Sequence, residues 1–130
     1  MAGEAILIVD DNQANADLLS FLLGKKGYDI RVAGDAHEAS ELLKTFWPRL
    51  IMMDLQLPGM DGLALTRKLK ADPATRGIII VALTAYAMKG DDERAHDAGC
   101  DAYVSKPINT RTLPGLVADL LEARERGDRT

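Results

Sequence analysis

A short stretch near the middle of the chain, Leu50-Ile51-Met52-Met53-Asp54, runs four apolar residues without interruption into a carboxylate. Two similar apolar runs flank it in the sequence, Ile6-Leu7-Ile8-Val9 and Ile78-Ile79-Ile80-Val81-Ala82-Leu83. A strand with one face in water alternates apolar and polar residues, whereas a strand covered on both faces is continuously apolar. The three runs therefore predict the central strands of a parallel sheet with helices on both faces.

Helical patterns fill the gaps between these runs, and two weaker strands are indicated at Asp29–Ala33 and Ala102–Ser105. The first predicted helix has an apolar face of Ala14, Leu18, Phe21 and Leu22 and stops at Gly27. The second is the segment Ala36–Thr45, capped by Asp35 and Glu38, and the next two are Gly62–Ala71 and Asp91–Ala98. The last has an apolar stripe of Leu113, Leu116, Val117, Leu120 and Leu121. Strands that alternate with helices require crossover connections and therefore a parallel sheet. Pro114 is expected to weaken the start of the last helix, and the charged tail 122–130 is expected to fray.

Length and composition indicate one domain that spans residues 1–130. The chain has 130 residues, of which 47% are hydrophobic and 28% charged, and its formal net charge is −4. This charge disfavours binding to nucleic acid, and the single cysteine, Cys100, excludes an internal disulfide or a multi-cysteine metal site. No apolar run approaches the roughly 20 residues of a membrane helix, and Met1–Glu4 lacks the basic region of a signal peptide. We therefore expect a cytoplasmic protein that binds neither nucleic acid nor membrane.

A small set of functional groups follows the predicted strands. Asp10 and Asp11 follow the first strand, Asp54 ends the third, Thr84 follows the fourth and Lys106 follows the fifth. The carboxyl ends of strands in an open α/β sheet meet at one edge, where ligands bind. Three carboxylates gathered there repel one another unless a cation lies among them, and their hard oxygen ligands suit Mg²⁺. A group held between that ion and the lysine should be an anion, and a phosphoryl group fits because an Asp carboxylate can form an aspartyl phosphate.

Each of these residues, taken alone, has an ordinary structural explanation. A single Asp after a strand is usually a turn former or a helix cap. Thr84 alone would be a capping hydroxyl, and Lys106 alone would be a solvated charge. Their joint occurrence at the ends of four strands is what favours a functional site.

Four motifs resemble those of the receiver domain of two-component response regulators. They are Val9-Asp10-Asp11-Asn12, Met53-Asp54-Leu55-Gln56-Leu57-Pro58-Gly59-Met60-Asp61-Gly62, Leu83-Thr84-Ala85 and Val104-Ser105-Lys106-Pro107, in this order over nearly the whole chain. The resemblance implies a flavodoxin-like, doubly wound sheet of five parallel strands in the order 2-1-3-4-5, with five helices. The stretch from Ala82 to Asp91 is also similar to that of cell-division-control regulators, and we expect a single-domain member of the family.

The resemblance also implies a role for each residue of the acidic site. Asp54 corresponds to the phosphoacceptor, which takes a phosphoryl group from a phosphohistidine of a histidine kinase or a histidine phosphotransfer protein. Asp11, Asp54 and the backbone carbonyl of Gln56 would bind Mg²⁺, and Asp10 would hold the ion through water. Lys106 would pair with a phosphoryl oxygen.

A conformational switch is implied by the same resemblance. Thr84, with Ala85 beside it, would bind another phosphoryl oxygen, and Tyr103 matches the aromatic residue that turns inward as the threonine moves. The surface formed by the fourth helix, fifth strand and fifth helix would then change shape and meet a downstream protein target. A cis peptide bond before Pro107 is also implied, and it would help to aim the lysine.

Two further sets of residues are implied with less detail. Gln56 and Tyr86 would tune the lifetime of the phosphoryl group, and the bulk of Tyr86 predicts slow autodephosphorylation. A kinase or phosphotransfer helix bundle would dock over Asn12, Asn15 and Leu18, unless Leu18 points into the core. The protein is expected to be a monomer or weak dimer and not an enzyme, because its chemistry is limited to its own phosphorylation and dephosphorylation.

Other functions fit the sequence less well. An aspartyl phosphatase needs an acid–base Asp two residues after its nucleophile, where this chain has Gln56. A flavin-binding electron carrier needs a glycine- and hydroxyl-rich phosphate loop, where Asp10-Asp11-Asn12 would repel a phosphate. A pseudo-receiver that acts only as an interaction module is disfavoured because all five site residues are present. A receiver domain of a hybrid kinase stays open as an alternative.

Overall fold

The computed structural model describes residues 3–55, 62–84 and 91–125, and five strands alternate with five helices along them. The strands are β1 (Ala5–Val9), β2 (Asp29–Ala33), β3 (Leu50–Asp54), β4 (Ile79–Thr84) and β5 (Ala102–Ser105). The helices are α1 (Gln13–Gly24), α2 (Ala36–Leu42), α3 (Gly62–Ala71), α4 (Asp91–Ala98) and α5 (Leu113–Glu125). The predicted order of strands and helices is confirmed.

The five strands form one parallel sheet in the order β2-β1-β3-β4-β5. In its central row, Ile8 lies between Val32 of β2 and Met52 of β3, and Met52 pairs with Val81 of β4. The chain thus winds outward in both directions from β1 and β3. This is the predicted flavodoxin-like fold.

Helices cover both faces of the sheet, which explains why the central strands do not alternate. On one face Ile51 belongs to a buried cluster with Leu65 of α3. On the other face Met52 belongs to a second cluster with Leu19 of α1 and Val117 of α5. Because successive side chains of a strand point to opposite faces, every position of β3 and β4 must be apolar except where each strand ends.

The buried face of α1 differs from the prediction. The buried residues of this helix are Ala16, Leu19 and Leu23. Within the predicted face, Phe21 is 63% exposed, Ala14 is exposed, and Leu18 and Leu22 are half-buried. Apolar residues lie on two adjacent stripes of this helix, and both stripes have helical spacing. Packing against the sheet selects one of them, which the sequence pattern of the helix alone does not specify.

The ends of α1 and α2 differ slightly from the predicted ends. The first helix ends at Gly24, and Gly27, with a φ of 90°, lies in the turn that leads to β2. The second helix ends at Leu42 rather than at Thr45. Its predicted cap is confirmed, because Asp35 Oδ1 accepts a hydrogen bond of 2.7 Å from the backbone N–H of Glu38.

The last helix is longer than predicted. Residues 122–125 continue α5, residues 126–130 lie outside the described residues, and fraying of the tail 122–130 stays a prediction. Pro114 is the second residue of this helix, where its missing N–H breaks no intrahelical hydrogen bond. Among the described residues, no helix is long and apolar enough to span a membrane.

Candidate functional site

Four neighbouring strands deliver the predicted site residues to one edge of the sheet. Asp10 follows β1, Asp54 is the last residue of β3, Thr84 is the last residue of β4, and Lys106 follows β5. The strands are parallel and adjacent, so their carboxyl ends lie side by side. Between β4 and β5, the backbone N–H of Lys106 donates to the carbonyl of Thr84 over 2.7 Å. The sheet register thus fixes where the lysine leaves its strand.

Three carboxylates converge at this edge. One carboxylate oxygen from each of Asp10, Asp11 and Asp54 lies within 4.8 Å of the others. Asp10 and Asp54 are each only 2% exposed, whereas Asp11 is exposed. The cluster therefore consists of two buried carboxylates and one carboxylate that is exposed to solvent.

Lys106 supplies positive charge to the two buried carboxylates, those of Asp10 and Asp54. Its Nζ lies 3.1 Å from Oδ2 of Asp54 and 3.5 Å from Oδ2 of Asp10. The first distance is a charge-assisted hydrogen bond, and the second is an ion pair without one. The peptide bond between Lys106 and Pro107 is cis, as predicted. One ammonium group thus faces two buried carboxylates and neutralises only part of their charge.

The local electrostatics raise the pKa of Asp10 from 3.8 to about 6. Burial is the largest cause, because it takes the charged form out of water. The backbone N–H of Asn12, which donates to Oδ1 of Asp10 over 2.9 Å, opposes the shift. Nearby Asp54 raises the pKa further, and Lys106 lowers it. The ionised form of Asp10 is therefore disfavoured in the folded protein unless more positive charge arrives.

The donor atoms of the cluster fit a small hard cation. Oδ2 of Asp10 is buried and accepts no hydrogen bond from any described residue, an arrangement that costs free energy if nothing compensates it. Carboxylate oxygens from three residues, one of them open to solvent, match the way Mg²⁺ binds through few protein ligands while keeping several waters. No Cys or His takes part in the cluster, which disfavours zinc.

Asn12 contacts one buried carboxylate, that of Asp10, and Gly62 lies against the backbone of the other aspartate, Asp54. Asn12 donates its backbone N–H to Asp10, while its side-chain oxygen caps α1 by accepting from the N–H of Asn15 over 3.1 Å. A Cβ on Gly62 would lie 2.2 Å from the backbone oxygen of Asp54, so α3 can start this close to β3 only with glycine. The sequence predicts a docking role for Asn12 and does not predict this contact with Asp10. Its position between a strand and a helix, typical of a cap, was the available signal.

The two residues predicted to act as a switch, Thr84 and Tyr103, lie on adjacent strands. Thr84 is 1% exposed at the end of β4. Tyr103 of β5 pairs with Ala82 and is half-buried against the cluster on the α3 side of the sheet. Thr84 pairs with Ser105, so Tyr103 lies two residues before the strand position opposite Thr84, further from the carboxyl end of the sheet. Gln56, Ala85 and Tyr86 lie outside the described residues, so their assigned roles stay predictions.

The predicted docking residues lie at the start of α1. Asn12 is exposed, and Asn15 and Leu18 are half-buried. Leu18 is therefore neither fully buried in the core nor fully exposed to solvent. The exposed Phe21, one turn further along the helix, extends this surface. The helical pattern of α1 predicts Phe21 on the buried face, so the sequence does not predict this extension.

Comparisons with known proteins agree with the geometry. The family model for the response regulator receiver domain matches residues 6–118. Proteins named polar-differentiation response regulator DivK, from Brucella ovis and Brucella anthropi, are 43% identical over 106 residues, which cover 82% of this chain and 86% of theirs.

Solved structures agree as well. A CheY-like receiver domain protein from Methanospirillum hungatei JF-1 is 30% identical, with a TM-score of 0.89 over 97% of this chain and 99% of that one. The receiver domain of a sensor histidine kinase from Pseudomonas aeruginosa PAO1 is 32% identical, with a TM-score of 0.83 over 93% of this chain and 99% of that one. That structure has a magnesium ion coordinated in its active-site cleft.

The match to the family model covers most of the chain, and the fold and the acidic edge of the sheet are those expected of the family. This chain therefore belongs to the response regulator receiver domains of two-component signalling.

Proposed function

We propose that this receiver domain is a phosphorylation-controlled switch whose phosphoacceptor is Asp54. One observation supports the proposal above the others: the Asp54 carboxylate is almost fully buried, yet it is paired with Lys106 and lies within 4.8 Å of two further carboxylates. A structural ion pair needs one carboxylate, and the second and third only add repulsion. The cluster is costly in the resting protein, which is the expected property of a site built for an incoming cation and phosphoryl group.

The proposed reaction is a transfer from a phosphohistidine. An oxygen of the Asp54 carboxylate forms a bond to phosphorus as the bond between phosphorus and the donor's imidazole nitrogen breaks, and the imidazole leaves with the electron pair of that bond. Hydrolysis restores the carboxylate: a water oxygen bonds to phosphorus as the bond between phosphorus and the Asp54 oxygen breaks, and inorganic phosphate leaves. The chain acts on no separate substrate in this scheme, so its chemistry is confined to its own side chain.

Each neighbouring residue has a defined part in this transfer. Asp10 and Asp11 would hold Mg²⁺ together with Asp54, and the bound ion would neutralise charge on the transferred phosphoryl oxygens. Lys106 keeps the Asp54 carboxylate oriented before transfer and then pairs with a phosphoryl oxygen. Its charge is already in place, so little reorganisation accompanies the reaction.

The readout starts from Thr84 and Tyr103. A phosphoryl group adds negative charge and three acceptor oxygens at the end of β3. The Thr84 hydroxyl, at the end of the next strand, would move to bind one of them. Tyr103 would then pack more deeply between β4 and α4, and the surface formed by α4, β5 and α5 would change shape. Phosphorylation shifts the free-energy difference between the two conformations. The size of this shift equals the difference in interaction free energy that the phosphoryl group has with each conformation.

The proposed partners follow from this scheme. Receiver domains work with a histidine kinase or a histidine phosphotransfer protein, which would dock near the start of α1 over Asn12, Asn15 and Leu18. The surface of α4, β5 and α5 would meet a downstream protein. The DivK relatives are matched over 86% of their length, which supports a single-domain response regulator. The similarity to a receiver domain of a histidine kinase from Syntrophus aciditrophicus, at 34% identity, supports a hybrid kinase as the second candidate.

Incubation with acetyl phosphate and Mg²⁺, followed by intact-mass measurement, tests the proposal. We expect a gain of one phosphoryl group in the wild type and none in Asp54→Asn or in an EDTA-treated sample. The variant Asp35→Asn, which changes a carboxylate that only caps α2, is the matched control and should be phosphorylated like the wild type. A wild type that gains no mass would favour the pseudo-receiver instead, and an equal gain in Asp54→Asn would place the acceptor elsewhere.

A further inference from the structure

A groove of about 450 Å³ lies where the end of α1 meets the start of α5, and it shares no residue with the acidic site. Leu22 and Tyr28 form part of its apolar lining. The hollow exists because α5 presents Gly115 and Ala118 there, and a Cβ added to Gly115 would meet no atom within 4 Å. Ligand pockets in proteins have volumes of about 300–1,000 Å³. The groove thus has the size of a site for a small molecule.

The groove concentrates positive charge on a protein whose net charge is negative. Lys25, Lys26 and Arg111 line it, and no acidic residue is among its lining residues. None of the three forms an ion pair within residues 3–55, 62–84 and 91–125, whereas Lys44 and Lys70 do. The chain as a whole carries a formal charge of −4. The local excess of unpaired cations favours an anionic ligand.

Polar and aromatic groups accompany these cations. Tyr28 is only 8% exposed and lines the groove, yet its hydroxyl forms no hydrogen bond within the described part of the chain. Solvent reaches the hydroxyl oxygen although most of the side chain is buried, so the hydroxyl is available to hydrogen-bond with a ligand in the groove. Beside the groove, Phe21 is 63% exposed with Lys25 Nζ 5.1 Å from its ring centre.

From these observations we infer that the groove binds a nucleotide, that is, a phosphate ester with a flat ring. The guanidinium of Arg111 matches a phosphate in a two-point hydrogen bond, and Lys25 and Lys26 add charge. The ring fits over the apolar floor that the small residues of α5 leave open. An acidic peptide shares the negative charge but would leave this floor unfilled.

An NMR titration of the ¹⁵N-labelled protein with AMP, in EDTA at low salt, tests this inference. We expect saturable shifts at the amides of Tyr28, Gly115 and Ala118. Lys25→Glu and Arg111→Glu should each weaken AMP binding about tenfold or more, since a hydrogen bond to a charged group is lost and repulsion is added. Lys68→Glu reverses an exposed lysine of α3 outside the groove and should change the affinity less than twofold. No saturable shift, or equal weakening in all three variants, would overturn the inference.

Three further probes separate a nucleotide site from simpler alternatives. Adenosine lacks the phosphate, inorganic phosphate lacks the ring, and hexaglutamate carries charge on a peptide. We expect each to bind at least tenfold more weakly than AMP. Equal binding of inorganic phosphate would reduce the groove to an unspecific anion patch, and tighter binding of hexaglutamate would make it a peptide groove. Either result would refute the nucleotide assignment. Neither depends on the phosphorylation of Asp54, which uses other residues.

Discussion

Replacing Asp10 with asparagine should stabilise the metal-free protein. The pKa of this carboxyl lies at about 6 rather than 3.8, mainly because the group is buried. A displacement of that size means that the ionised carboxylate destabilises the folded state by about 3 kcal/mol at pH 7. Asparagine carries no charge and keeps the oxygen that accepts from the N–H of Asn12. Its buried amide offsets part of the gain, so we expect a net stabilisation of about 1–3 kcal/mol.

Urea unfolding in EDTA, followed by circular dichroism, measures this change. With an m-value of about 2 kcal/mol/M, the midpoint of Asp10→Asn should lie about 1 M above that of the wild type. The control Asp11→Asn changes an exposed carboxylate of the same cluster and should gain much less. Added Mg²⁺ should stabilise the wild type more than Asp10→Asn, because the variant has lost the charge of one of the carboxylates that would hold the ion. A midpoint for Asp10→Asn at or below that of the wild type in EDTA would refute the reasoning.

The pH dependence of this difference has a defined sign. The folded-state pKa of Asp10 is above its unfolded value, so the folded protein binds more protons between about pH 4 and pH 6. The free energy of unfolding of the wild type therefore falls, relative to that of Asp10→Asn, as the pH rises through this window. The gap between the two proteins should be full at pH 7 and nearly absent at about pH 4. A gap that stays constant with pH would show that charge is not its cause.

Three further predictions concern the scaffold, and urea unfolding checks each of them. Gly99→Ala should destabilise the protein by roughly 2 kcal/mol, because Gly99 has a φ of 107° and a Cβ there would lie 2.7 Å from Cγ of Lys70. Gly115 lies on α5, where an added Cβ would meet open space. Gly115→Ala should therefore stabilise the protein by about 0.5–1 kcal/mol. Asp35→Ala should cost about 1 kcal/mol because it removes the cap of α2. Asp35→Asn should restore most of that loss, and a failure to do so would mean that capping is not the cause.

The sheet and the acidic edge were predictable because their signals are local in the sequence. An uninterrupted apolar run predicts a strand covered on both faces, and β1, β3 and β4 all follow that rule. A residue placed directly after such a strand must lie at the carboxyl end of the sheet. Asp10, Asp54 and Lys106 therefore meet as the sequence predicts, whatever the details of the helices.

The rotation of α1 was not predictable in the same way. Its sequence has apolar residues on two adjacent stripes, and contacts with the sheet and with α5 choose the one that contains Leu19. The close approach of Gly62 to Asp54 and the raised pKa of Asp10 also depend on distances between segments far apart in the chain. The groove beside α5 has the same origin, since Lys25 and Arg111 come together only in the folded protein. Such features belong to tertiary packing, and a pattern within one element does not contain them.

Chemical mapping of the phosphorylated residue tests the central claim most directly. An acyl phosphate is reduced by borohydride to the corresponding alcohol, so phosphorylated aspartate becomes homoserine. After phosphorylation with acetyl phosphate and Mg²⁺, peptide mass spectrometry should locate homoserine at position 54 alone, with Asp10 and Asp11 unchanged. Homoserine at position 10 or 11, or phosphate on another type of side chain, would contradict the assignment of Asp54 as the phosphoacceptor.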